Sequence, residues 1–194
     1  MTIVLASASP RRQELLTNAG IEFVVRPANI PEVPLPDESP KAFAERMAQE
    51  KARAIRDNVE TAYPRNQNSL AILGADTVVV IGNEVLGKPA NSDDAARMLR
   101  LLSGHEHSVI TGVCLSGENF EDVRSEITIV HFGELSESDI KSYIETDEPM
   151  DKAGAYAIQG MASRWISKIE GDYNNVVGLP VDLVLQMLRE HGVS

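Results

Sequence analysis

One acidic residue stands where folding alone would not place it. Asp76 lies within LAILGADTVVVI (70–81), a run that is otherwise apolar except for Thr77. An unpaired carboxylate buried in such a strand would cost several kcal/mol. Either backbone amides or an arginine satisfy it at a strand end, or it grips a cation or takes part in chemistry. Gly74 and Ala75 just before it are small, which leaves room for a ligand to approach the backbone. The segment Ser7-Ala8-Ser9-Pro10-Arg11-Arg12 is the second candidate. Ser9 has the character of a helix N-cap and Pro10 of a first helical position. A helix start exposes N–H groups, and two hydroxyls and two arginines beside it suit a phosphate or carboxylate. The plainer reading is an ordinary cap with solvated arginines.

Gly87-Lys88-Pro89 ends the stretch GNEVLGKP (82–89), one residue away from a phosphate-binding P-loop. It is not one: Pro89 replaces the hydroxyl residue that should hold magnesium, and Val85-Leu86 reads as strand. Lys88 can still reach a phosphate, or be a solvated lysine. EPMDKAGAYAIQG (148–160) mixes Asp151, Lys152 and Gln159 with small residues and reads as a loop over a cleft rather than as core. His105 and His107 lie two apart and could share a strand face as a metal pair would, although no third ligand is suggested.

The elements that must position these residues follow from periodicity and punctuation. Residues 2–6 read as a buried strand, 10–19 as a helix stopped by Gly20, and 21–26 as a strand. Three prolines make 29–36 a loop. Ser39-Pro40 opens a helix to about Arg56, with Phe43, Met47 and Ile55 near one face, and 58–69 reads as a polar connection. The strand 70–81 turns at Gly82-Asn83 and returns through Val85-Leu86. Ser92-Asp93-Asp94 opens a helix ending near Gly104, and 107–115 and 123–132 read as paired strands. Ser136 with Asp139 forms a capping box for a helix to about Glu145, and Pro180 opens the last helix. Helices alternate with strands, some of them antiparallel. The expected fold is therefore α/β, a mixed β-sheet flanked by helices, in a single domain over 1–194 with room for two lobes around a cleft.

The 194 residues are 43% hydrophobic and 24% charged, an ordinary globular balance. No apolar run approaches the ~20 residues of a membrane helix, and the start MTIVLASASPRR does not read as a signal peptide. The lone Cys114 permits no internal disulfide, which fits a reducing cytoplasm. A net charge of −11 would repel nucleic acid or an acidic membrane but allows a small anion in a local cationic cleft. A nucleic-acid-binding role is disfavoured further by the lack of an aromatic-rich basic patch.

In this order, SASPRR (7–12), EKA (50–52), GADTVV (74–79), GKP (87–89), MLRLLSGHEHSVITG (98–112), EPMDKAGAYAIQG (148–160) and GDYNNVVGLP (171–180) resemble the Maf family of nucleoside triphosphate pyrophosphatases, over nearly the whole chain. The resemblance implies a fold related to the inosine triphosphate pyrophosphatases, a cytoplasmic homodimer, and a house-cleaning hydrolase that cuts between the α- and β-phosphates with a divalent cation, Mg²⁺ or Mn²⁺. It implies Asp76 as proton acceptor and metal ligand, with Glu32 as the second acid; Pro31 stands where the family often has an Asp. Lys51 and Lys88, with Ser7, Ser9, Arg11 and Lys152, would face the phosphates, and Arg12, Thr77 and Gln159 would set base choice. DKAGAYAIQG resembles the branch acting on dTTP and UTP, with modified pyrimidine nucleotides also in view. The Gln159 amide can accept from N3–H and donate to O4 of uracil or thymine. A cation-activated water positioned by Asp76 is the expected nucleophile. A nucleotide-binding regulator of septum formation, without turnover, is the alternative.

Overall fold

The computed structural model describes residues 1–62 and 70–193. The chain opens with β1 (Thr2–Leu5), α1 (Pro10–Asn18), β2 (Phe23–Val25), α2 (Pro40–Ala62), β3 (Leu70–Ile81) and β4 (Glu84–Leu86). It continues with α3 (Ser92–Leu102), β5 (Glu106–Ser116), β6 (Glu121–Phe132), α4 (Glu137–Ile144), β7 (Ile166–Glu170), α5 (Tyr173–Val177) and α6 (Val181–Glu190). Short 3₁₀ turns occupy Glu148–Asp151, Ala153–Ala155 and Met161–Trp165. The sheet is mixed and seven-stranded, in the order β2-β1-β3-β5-β6-β7, with β4 on β3. β1 is parallel to both β2 and β3, whereas β4 runs antiparallel to β3 and β7 antiparallel to β6.

The chain divides into two compact units. The first comprises Met1–Asp76, Thr111–Glu126 and Gly178–Ser194, and the second Thr77–Ile110 and Ile127–Val177. In the first unit, α1 starts as its sequence dictates: Ser9 caps the Arg12 N–H and Pro10 enters the first turn. Gly20 after it adopts φ +72°, a conformation that costs glycine nothing. Leu16 and Met47 are fully buried, each contributing about 1.5–3 kcal/mol of apolar burial.

α2 presents Ala44, Ala48 and Ala52, all at 0% exposure and four residues apart. This stripe meets two glycines. A Cβ on Gly112 would overlap the Ala44 carbonyl, and one on Gly74 would overlap the Ala48 carbonyl. Gly74 is thus small so that a helix can approach the strand, and its missing side chain makes no room for a ligand as the sequence had suggested. α2 also runs past Arg56 to Ala62, so the expected connection is shorter; residues 63–69 of it lie outside the described residues.

The second unit buries Leu99, Leu102, Phe132, Tyr143 and Trp165 around one core. α4 carries the expected capping box from Ser136 and Asp139. α3 starts at Ser92 but takes its cap from Asn91, whose side chain accepts the Asp94 N–H. Asn175 of α5 is fully buried and donates to the Val109 carbonyl and the Thr128 hydroxyl, 3.0 Å each, pinning the short helix.

His107 belongs to this core and not to a metal pair. Its Nε2 is 2.8 Å from the Tyr156 hydroxyl and its ring sits against Phe132 and Tyr156. His105 is exposed, with Nδ1 at the Ser103 carbonyl. Burial, aided by the charge of His131, depresses the His107 pKa from 6.5 to about 4. The unfolded chain therefore binds a proton in that window that the folded chain does not, and stability falls as pH drops through it. The loss attributable to His107 is about 3 kcal/mol by pH 4. Urea unfolding midpoints at pH 7 and pH 4.5 should diverge less in His107→Gln than in the unsubstituted protein; equal pH slopes would contradict this.

Candidate active site

β1 is the point where the sheet order reverses. The chain leaves it through α1 to reach β2 on one side, then through α2 to reach β3 on the other. In open α/β sheets, ligands bind beyond the carboxyl ends of strands at such a point. Leu5 pairs with Leu73 in parallel register, and the Ala6 N–H bonds the Leu73 carbonyl at 2.9 Å. Beyond this pair β1 ends and the chain passes through Ala6 to Ser7, while β3 continues through Gly74 and Ala75 to Asp76.

Asp76 is buried at 6% exposure and meets Lys51. Lys51 Nζ lies 2.6 Å from an Asp76 carboxylate oxygen and 2.6 Å from Glu32 Oε1. The alanine–glycine contact explains the first pairing. Lys51 sits between Ala48 and Ala52 on α2, so the close approach of that helix delivers the ammonium to the strand. Burial raises the Asp76 pKa above the ordinary carboxylate value of 3.8; Lys51 and Arg12 oppose this, and Glu32 adds to it. The outcome is a carboxylate more basic than a solvated one.

Glu32 is exposed and lies in the proline-rich loop, which α2 staples. Arg46 donates to both oxygens of Glu38, at 2.6 and 2.7 Å, to the Val33 carbonyl at 3.0 Å and to Glu50 at 2.9 Å. The Arg46 bonds to Glu38, outweighing burial and aided by the Leu35 N–H, hold the Glu38 pKa down to about 2. Val33 is the neighbour of Glu32, so its position is fixed from one side by Arg46 and from the other by Lys51.

Arg12 is not the solvated arginine of the plainer reading. It is 9% exposed. Its Nε donates to the Gly178 carbonyl at 2.8 Å, and its Nη1 to the Ala75 carbonyl at 3.0 Å and the Ser7 hydroxyl at 3.2 Å. It thus ties α1 to the peptide that precedes Asp76. Burial lowers its pKa and the charges of Asp76 and Glu32 raise it. Ser7 is buried and also accepts the Ser9 N–H, while Arg11 is half-buried.

The remaining expected residues belong to the second unit. Thr77 is half-buried on β3, and Lys88 is exposed just after β4. The strand over Val85-Leu86 agrees with the rejection of a P-loop there. Lys152 donates to the Glu148 carbonyl at 3.3 Å and pairs with Asp151. Gln159 is exposed.

The described residues contain no cluster of three or more His, Cys, Asp or Glu placed for a metal ion. Asp76 and Glu32 nevertheless share Lys51 Nζ, so their bonded oxygens stand at most twice 2.6 Å apart. Two hard oxygen donors suit Mg²⁺ or Mn²⁺, which commonly bind one or two carboxylates and complete their shell with phosphate and water. The donor set fits such a cation.

Arg46, Gly178 and Ala75 were not legible as parts of this site. Two of them act through backbone carbonyls, which any residue supplies. Arg46 reads in sequence as a helical i,i+4 partner of Glu50.

The sequence matches the Maf-like protein family over residues 2–191. A dTTP/UTP pyrophosphatase of Koribacter versatilis is 55% identical over 193 residues, covering 100% of this chain and 96% of that protein. Proteins of the same name from Symbiobacterium thermophilum and Geobacter sulfurreducens are 50% and 47% identical, each covering 98% of this chain and 94% and 96% of their own lengths. A solved nucleoside-triphosphatase / dITP/XTP pyrophosphatase of Mycobacterium abscessus is similar at a TM-score of 0.45 and 16% identity, covering 99% of this chain and 97% of that one. With nearly its full length matched, this chain belongs to the Maf-like family.

Proposed function

We propose that this protein hydrolyses dTTP and UTP to the nucleoside monophosphate and pyrophosphate. The observation that carries the reading is the buried Asp76 carboxylate joined to Lys51 and Glu32, where β3 runs on past the carboxyl end of its parallel partner β1. The names of the full-length relatives support the substrate class.

In this reading Asp76 accepts a hydrogen bond from the attacking water and takes its proton as a new P–O bond forms at the α-phosphate. The bond from the α-phosphorus to the bridging oxygen breaks, and pyrophosphate leaves. Lys51 is exchanged from the carboxylates to the departing phosphates, whose charge it stabilises. Among residues of the first unit, Ser7, Ser9 and Arg11 are assigned to phosphate oxygens; among those of the second, Lys88 and Lys152 are. Thr77 and Gln159 read the base. Arg12 takes part in base choice through the Ala75 peptide of β3 that it holds. Asp76 and Glu32 would hold a divalent cation, which supplies Lewis-acid charge when bound.

The family resemblance further supports a cytoplasmic homodimer acting on free nucleotides, and the charge of −11 disfavours nucleic acid. No described helix is long and apolar enough to cross a membrane.

The test is pyrophosphate release from a panel of common and modified triphosphates with the metal varied. Turnover of dTTP and UTP at least ~10-fold above CTP and GTP in kcat/KM is expected, on the scale that paired hydrogen bonds discriminate. Binding without turnover would sink the reading.

A further inference from the structure

Gln159 is exposed, and its amide alone cannot choose a pyrimidine. Turned over by half a rotation it matches the N3 and N4 edge of cytosine, and unturned it also meets the O6 and N1–H edge of guanine. Selectivity through this side chain requires that the backbone carrying it be held in one place, since misplacement of about 1 Å is enough to lose a productive pose.

Hydrogen bonds on either side of Gln159, part-buried at Ala157 and exposed at Met161, hold that backbone. The Tyr143 hydroxyl of α4 donates to Glu148 Oε1 at 2.8 Å and accepts the Ala157 N–H at 3.1 Å. Glu148 in turn accepts the Met161 N–H on Oε1 at 3.1 Å and on Oε2 at 3.3 Å. Ala157 and Met161 each lie two residues from Gln159, so one hydrogen-bonded unit grips both flanks. Between them the Gly160 N–H bonds the Ala157 carbonyl at 3.1 Å. The Glu148 carboxylate packs against Gly160, where a Cβ would overlap it and force the carboxylate to shift.

The anchor is rigid at its base. Tyr143 is 0% exposed and packs edge-on against Trp165 at 5.4 Å. The same loop is pinned further back, where the Gly154 N–H bonds the Gly87 carbonyl at 3.0 Å, beside Lys88. An acid on a surface loop needs none of this; a loop that must hold one amide in a fixed pose does.

We infer that Glu148 and Tyr143 are positioning residues that set the base selectivity of Gln159. The inference rests on the reading of Gln159 as the residue that meets the base. The test compares kcat and KM for UTP, CTP and GTP in Glu148→Ala, Glu148→Gln, Tyr143→Phe and Gln159→Ala. Glu148→Ala should lower the UTP:CTP ratio of kcat/KM by about 10-fold, mostly through a higher KM for UTP. Glu148→Gln keeps one carbonyl acceptor and should fall between. Tyr143→Phe keeps the ring packed on Trp165, so it folds, and should shift the ratio the same way by about 3-fold. If Gln159→Ala loses the preference while Glu148→Ala and Tyr143→Phe keep it, or lower all three substrates equally, the positioning role is overturned. If Gln159→Ala itself keeps the preference, the assignment of Gln159 fails and this inference falls with it.

Discussion

Asp76→Asn is expected to lower kcat on UTP by about 10³-fold, the range lost with a positioned general base, while the folded protein is kept. The side chain keeps its shape, so the loss reports charge and basicity rather than packing. Stability should move the other way or not at all. Burial raises the folded pKa of Asp76 above its ordinary value of 3.8. Its contribution to stability is therefore present below the unfolded pKa and lost as pH rises through the folded one, so the ionised group opposes folding at neutral pH. A neutral amide removes that burden, although Lys51 then keeps only Glu32. Inactivation without destabilisation is the signature of a group retained for chemistry. Thermal melts beside kinetics at pH 7.5 check both halves. A variant that unfolds with its activity loss would mark Asp76 as structural.

Lys51→Met carries the second large effect. Removing the ammonium takes away stabilisation of the departing pyrophosphate, and kcat/KM should fall about 10²- to 10³-fold. It also changes the pH profile in a fixed direction. Lys51 lowers the Asp76 pKa against the effect of burial. Without it the carboxylate protonates at still higher pH, so the acid limb of kcat/KM should shift alkaline relative to the unsubstituted enzyme. Breaking a buried pair also costs about 3–5 kcal/mol where the remaining charge is uncompensated. That loss should be largest above the shifted limb and recover below it. An acid limb that stays in place would show that another group titrates.

The candidate site was legible in sequence where a polar residue broke a local pattern. Asp76 stood out against its apolar run, and strand 70–81 came out with the bounds of β3. Ser9-Pro10 and Ser136 with Asp139 marked two helix starts because capping is a contact within one turn. What distance in sequence conceals was missed. Lys51 and Asp76 are 25 residues apart, and only the alanine stripe of α2 on Gly74 brings them together. Gly74 was read as room for a ligand because nothing local reveals that a helix fills the space. His105 and His107 could have shared a strand face, but β5 begins only at Glu106, and His107 turns into the core beside Tyr156, which lies 49 residues away. β7 and α5 are only five residues each, too short for a period to declare itself. The Tyr143–Glu148 clamp joins a residue that reads as core to one that reads as loop.

The most direct test of the central assignment follows UTP by ³¹P NMR with the unsubstituted enzyme and with Asp76→Asn, in the presence of Mg²⁺. UMP and pyrophosphate should appear in equal amounts with the first and nearly cease with the second. UDP with orthophosphate as the products, or undiminished pyrophosphate from Asp76→Asn, would contradict it.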